Sequence, residues 1–81
     1  MRIHARFNGG LIKVFGGARL TLSLPEGATL GDLLQFLDER HPRASPGLDS
    51  ALAILDGRHV FREEPLAEGQ EVAFLLPMAG G

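Results

Sequence analysis

The stretch Leu24-Pro25-Glu26-Gly27-Ala28-Thr29-Leu30-Gly31-Asp32-Leu33-Leu34-Gln35-Phe36-Leu37 decides the fold, because it holds the end of a strand, a turn and the start of a helix. Just before it, Leu20, Leu22 and Leu24 alternate with Arg19, Thr21 and Ser23, the period of a strand with one buried face, and Pro25-Glu26-Gly27 closes the run as a turn. Thr29 with Asp32 three positions on is a variant of the capping box, with Asp where Glu or Gln is usual. The leucines at 30, 33, 34 and 37 then fall on one helical face. Burying each is worth roughly 1.5–3 kcal/mol as an upper estimate, so this helix is expected to contribute most to the core. Asp32, Gln35, Asp38 and Glu39 fall on the wet side and Phe36 on the flank. His41-Pro42 ends the helix, since the residue before proline is pushed out of the helical region. Arg40 and His41 suit the negative end of the helix dipole.

Working outward, Arg2 to Phe7 alternates with Ile3, Ala5 and Phe7 on one side, and reads as a first strand facing the leucines of the second. Asn8-Gly9 and Gly16-Gly17 are turn signals; Leu11 to Phe15 between them fits either a short strand or one helical turn. On the far side, Ser45-Pro46-Gly47 lies in an expected loop, and Ala51 to Leu55 reads as a short apolar strand. Asp56-Gly57 is a hairpin turn into Arg58-His59-Val60-Phe61. Glu63 to Gly69 is polar turn chemistry anchored by Leu66, and the last strand, Glu71 to Leu76, places Val72, Phe74 and Leu76 opposite Glu71, Ala73 and Leu75. This order predicts an α+β fold: a mixed sheet of four to five strands with one main helix packed across one face. Residues 1–76 are expected to form the domain and 77–81 an extended tail.

The chain has 81 residues, enough for one small core, with 44% apolar and 22% charged residues, as in ordinary globular proteins. It lacks cysteine, which removes disulfides, thiolate metal sites and thiol nucleophiles from this chain. No stretch resembles a signal peptide or approaches the roughly 20 apolar residues of a membrane span, so a soluble, cytoplasmic protein without membrane contact is expected. The net charge is −2, the arginines are scattered, and Trp and Tyr are missing. Nucleic-acid binding therefore lacks both its electrostatic footprint and its stacking platform. Lys13 is the single lysine, which with the N-terminus limits the chain as an acceptor for copies of itself.

Internal chemistry is sparse. His4, His41 and His59 lie on different elements without metal-ligand spacing and read as surface histidines. The pairs Asp38/Glu39 and Glu63/Glu64 are sequence neighbours whose side chains diverge, which makes them solvated charges. The glycines at 9, 10, 16 and 17 match no phosphate-binding motif, and Ser45 and Ser50 belong to no nucleophile motif. No catalytic site of the chain's own is expected. What is left is the ending, where the apolar run Val72 to Ala79 passes directly into Gly80-Gly81. A diglycine without Cβ atoms can thread a channel too narrow for side chains and deliver a terminal carboxylate to another protein's active site; its bland alternative is a loose end. Activated as an acyl-adenylate, that carboxylate would become open to attack by a sulfur or nitrogen nucleophile from elsewhere.

Two motifs carry a resemblance. Leu24 to Leu34 is similar to "LPxGxTxxDLL", and Pro65-Leu66-Ala67-Glu68-Gly69-Gln70-Glu71-Val72-Ala73-Phe74-Leu75-Leu76-Pro77-Met78-Ala79-Gly80-Gly81 to "PLxDGDEVAxxPPVxGG". Over nearly its whole length the chain thus resembles the molybdopterin synthase small-subunit family, within the ubiquitin-like sulfur carriers that include those of thiazole synthesis. Gln70 stands where that family usually has Asp, Leu76 replaces the first proline of its pair, and its Leu-Arg-Glu segment is not recognisable between Asn8 and Gly17.

The resemblance implies a β-grasp fold and a thiocarboxylate at Gly81. It implies adenylation of Gly81, carried forward by Gly80, by a ubiquitin-activating-type enzyme that uses the ATP, with no cofactor stably bound to this chain. It implies insertion of the tail into the molybdopterin synthase large subunit, with Leu75 as a docking point on the exposed sheet face and Pro77, Met78 and Ala79 lining the channel mouth. Two alternatives share the same tail: a ubiquitin-like modifier forming isopeptide bonds through Gly81, and a sulfur carrier for tRNA thiolation, thiazole or cysteine synthesis.

Overall fold

The alternation of the first residues is realised as a strand, β1 (Arg2–Phe7), that buries Ile3, Ala5 and Phe7. These positions come from a computed structural model, in which residues 1–77 are described. The undecided segment after β1 is helical, α1 (Gly10–Phe15), closed by Gly16 in the left-handed conformation at φ 77°. It leads into β2 (Arg19–Ser23), antiparallel to β1 with Ile3 opposite Leu22. The main helix, α2 (Leu30–Arg40), starts at the expected cap: the Asp32 amide donates to Thr29 Oγ1 at 3.3 Å, and the Thr29 amide donates to Asp32 Oδ2 at 2.9 Å. Leu30, Leu33 and Leu37 are buried, Leu34 is half-buried, and His41 caps the C-terminus by donating its amide to the Leu37 carbonyl.

A helix leaves four amides without internal partners at its start. In α2 the Thr29 amide donates to the Asp32 carboxylate, the amides of Leu30 and Gly31 to the carbonyls of Glu64 and Arg62, and that of Asp32 to the Thr29 hydroxyl. The segment from Arg62 to Leu66 thus crosses the helix start, fastened further by Leu66 N–H to the Ala28 carbonyl, with Leu66 as its buried anchor. A Cβ on Gly31 would come within 3.3 Å of the Arg62 carbonyl oxygen, so the close approach favours glycine there.

The expected loop after α2 is instead helical. A 3-10 turn at Pro42–Ala44 leads into α3 (Ser45–Ser50), which buries Leu48, while Ala44 is buried beside it. The strand that follows, β3 (Leu52–Leu55), begins one residue later than expected. Asp56 and Gly57 make the hairpin turn with φ 51° and 78°. Its partner β4 (Arg58–His59) is shorter than expected, and the final strand β5 (Glu71–Leu75) stops one residue early.

The five strands are ordered β2-β1-β5-β3-β4. Within this sheet β5 is central, parallel to β1 and antiparallel to β3. The core lies between the sheet and α2, and among its fully buried side chains are Ile3, Leu33, Leu37, Leu55, Val72 and Phe74. Phe7 stacks on Phe15 at 4.1 Å and on Phe74 at 5.9 Å, and Phe15 meets His41 edge-on, which ties α1 to the end of α2. This is the mixed sheet and crossing helix of a β-grasp.

Candidate functional site

Because strand side chains alternate, β5 sends Val72 and Phe74 into the core and Glu71, Ala73 and Leu75 to the opposite, open face. Leu75 lies opposite Leu52 of β3, and Ala73 lies between Ile54 of β3 and Arg6 of β1. Leu52 is 45% exposed, Ile54 and Leu75 are half-buried, and Ala73 is buried. The expected docking residue therefore sits on the expected face, but Leu52 presents more apolar surface than Leu75 does. Toward β2 the same face is polar. Arg19 pairs with Glu71 at 3.0 Å, and His4 Nδ1 and Thr21 Oγ1 share a hydrogen bond at 2.8 Å. At the other rim His59 packs on Phe61, which is 63% exposed.

β5 leads to Leu76, half-buried against the core, and then to exposed Pro77. Leu76 has no strand opposite it, and its backbone is held by a side chain: its amide donates to Asn8 Oδ1 at 2.7 Å, and Asn8 Nδ2 donates to its carbonyl at 3.4 Å. The Leu76 side chain lies over Gly9, where an added Cβ would be 3.6 Å from Leu76 Cδ1. Asn8 was legible only as part of a turn signal, and nothing in the sequence pattern pointed to this contact. Of the anticipated site residues, half-buried Leu75 ends β5 and exposed Pro77 follows two positions on. Met78, Ala79, Gly80 and Gly81 lie outside the described residues.

Among the described residues no polar or charged residue is buried, and no group of three or more His, Cys, Asp or Glu is gathered to hold a metal. The histidines sit apart: His4 against β2, His41 on Phe15, His59 on Phe61. Among charged side chains, Arg58 and Glu64 form a two-pronged contact at 2.8 and 3.2 Å. The Arg58 guanidinium hydrogen-bonded to Glu64 holds that carboxyl below its ordinary value, and Glu64 in turn raises Arg58. No described helix is long and apolar enough to cross a membrane.

Comparison with solved structures extends this picture. SAMP1 from Haloferax volcanii superposes with a TM-score of 0.88 at 24% identity, each chain covered in full. A chain in the complex of subunits 1 and 2 of molybdopterin-converting factor from Helicobacter pylori gives 0.74 at 21% identity, again with both chains fully covered. A ubiquitin from Caldiarchaeum subterraneum gives 0.68 at 22% identity, over 100% of this chain and 98% of that one. No curated protein matches the sequence directly. At these identities the superpositions establish the fold, a ubiquitin-like β-grasp, and the family comes from the sequence itself: with residues 5–81 matching it, this chain belongs to the ThiS family.

Proposed function

We propose that this protein is a sulfur carrier whose reactive group is the carboxylate of Gly81. A ubiquitin-activating-type enzyme joins that carboxylate to the α-phosphate of ATP and releases pyrophosphate. A hydrosulfide equivalent then attacks the acyl carbon, AMP departs with one of the original oxygens, and a thiocarboxylate is left. The recipient favoured by the C-terminal motif is the pterin precursor of the molybdenum cofactor, reached by insertion of the tail into a molybdopterin synthase large subunit. ATP is consumed by the activating partner, and this chain holds no cofactor of its own.

The observation that carries the proposal is where the central strand leads. β5, paired on both sides, runs into Leu76-Pro77 and on to the Met-Ala-Gly-Gly sequence, beside an open face carrying Leu52, Ile54 and Leu75. Those three side chains form an apolar docking surface next to the exit of the tail. Pro77, Met78 and Ala79 then occupy the mouth of the partner's channel, and the two glycines pass into it.

Intact mass spectrometry of the chain co-produced with its activating enzyme tests this. The expected result is a species in which one oxygen of the C-terminus is replaced by sulfur; its absence from a host competent in that chemistry overturns the proposal. Denatured, reduced lysates showing a ladder of conjugates would assign the chain to isopeptide modification instead.

A further inference from the structure

We propose that Asn8 is a positioning residue that fixes the origin of the C-terminal tail, acting through the backbone of Leu76. This deepens the carrier proposal and rests on it for its functional half. The paired register of β1 and β5 ends at Phe7 opposite Phe74, because the chain leaves the sheet after Phe7 to form α1. On the other side, the ladder with β3 ends at Leu52 opposite Leu75. Leu76 is thus the first residue past the central strand, with no strand beside it, and the peptide groups of this half-buried residue need partners.

Asn8 supplies both. Its side-chain amide carries the same donor and acceptor as a peptide bond, and it takes the Leu76 N–H on Oδ1 and donates Nδ2–H to the Leu76 carbonyl. The side chain stands in for the strand that has just departed. Its own backbone is occupied elsewhere, since the Asn8 carbonyl accepts the Leu11 amide at the start of α1.

The usual reason for asparagine before glycine is tolerance of a left-handed backbone. That reason does not apply here. Gly9 takes the positive φ, at 56°, while Asp56 is the only non-glycine with positive φ among the described residues. Asparagine at position 8 is explained by its side chain, and what that side chain holds is the last residue before the tail. With Leu76 fixed, a carboxylate at Gly81 lies five residues beyond the anchor, within reach of at most about 18 Å of extended chain. Freed at Leu76, the chain would be anchored only from Leu75, and that reach would lengthen by one residue.

The test compares Asn8→Ala and Asn8→Asp with the wild-type chain. Asn8→Asp keeps an acceptor for the Leu76 amide and loses the donor to its carbonyl. Amide hydrogen exchange at Leu76 should speed up roughly 3- to 10-fold in Asn8→Ala, as loss of an ordinary hydrogen bond predicts, and return toward wild type in Asn8→Asp, while the amides of Val72 and Phe74 keep their protection. In ATP–pyrophosphate exchange with the activating enzyme, Asn8→Ala should raise KM several-fold and leave kcat close to wild type. Unchanged exchange at Leu76 in Asn8→Ala, or lost protection with an unaltered KM, overturns the proposal. Should the wild-type chain itself not be adenylated, the carrier function falls, and the positioning of a reactive tail by Asn8 falls with it. The Leu76 exchange result alone then separates a clamp without that function from no clamp at all.

Discussion

Glu64 shows how a single exposed side chain can report on the fold. It sits where the chain crosses the start of α2, and its carboxyl is held below its ordinary value, first by the hydrogen bonds from Arg58 and then by that residue's charge. As pH falls the unfolded chain, with its ordinary glutamate, takes up a proton before the folded chain does. The contribution of Glu64 is therefore complete above the unfolded value of about 4.3 and is lost as pH falls through the lower folded value. Glu64→Gln should lower the melting temperature slightly at pH 7, and the gap from wild type should close once the pH lies below the folded value of Glu64. A gap that stays constant between those two conditions would show that the pair does not form. Parity along β5 was enough to put Leu75 on the open face, since alternation is a local property. The grip of Asn8 on Leu76 joins positions 68 apart in sequence, and no local pattern encodes it.

The capping box of α2 was legible because its two partners lie three positions apart, and it was realised with both hydrogen bonds. Thr29→Ala removes one of them and leaves the Asp32 amide without its partner. We expect a loss of about 0.5–2 kcal/mol by chemical denaturation, with the fold retained. An unchanged midpoint would mean that the carbonyls of Glu64 and Arg62 suffice to hold the helix start. The shorter elements were harder to read for physical reasons. Leu11 to Phe15 is too brief for a period of 3.6 to be told from one of 2, and the choice is made by its tertiary contacts, Phe15 on Phe7 and buried Leu11. Ser45-Pro46-Gly47 carries loop chemistry, yet proline is tolerated in a first helical turn. Gly47 is drawn close to α1, where a Cβ would come within 2.8 Å of Leu11 Cδ2. That packing, which joins segments distant in sequence, makes the loop a helix.

The proposed function assigns stability to the folded body and chemistry to Gly81, and the two should then fail separately. Leu37 is fully buried on the face of α2 that meets the sheet, and Leu37→Ala is expected to cost about 2–5 kcal/mol of stability while the surviving folded fraction is still adenylated. Removal of Gly81, or addition of one residue after it, should abolish adenylation and leave the melting temperature where it was. Thermal melts and pyrophosphate exchange on the same preparations decide this. A truncation that unfolds the chain would refute the division. The strand that bears the ending is also the middle one, bonded to β1 in parallel and to β3 in antiparallel fashion. Its hydrogen bonds run across the strand axis that leads toward Leu76 and Pro77. Mechanical load applied along β5 is therefore borne in shear by both ladders together and does not unzip them rung by rung, so the strand from which the proposed partners would pull is a force-resistant handle.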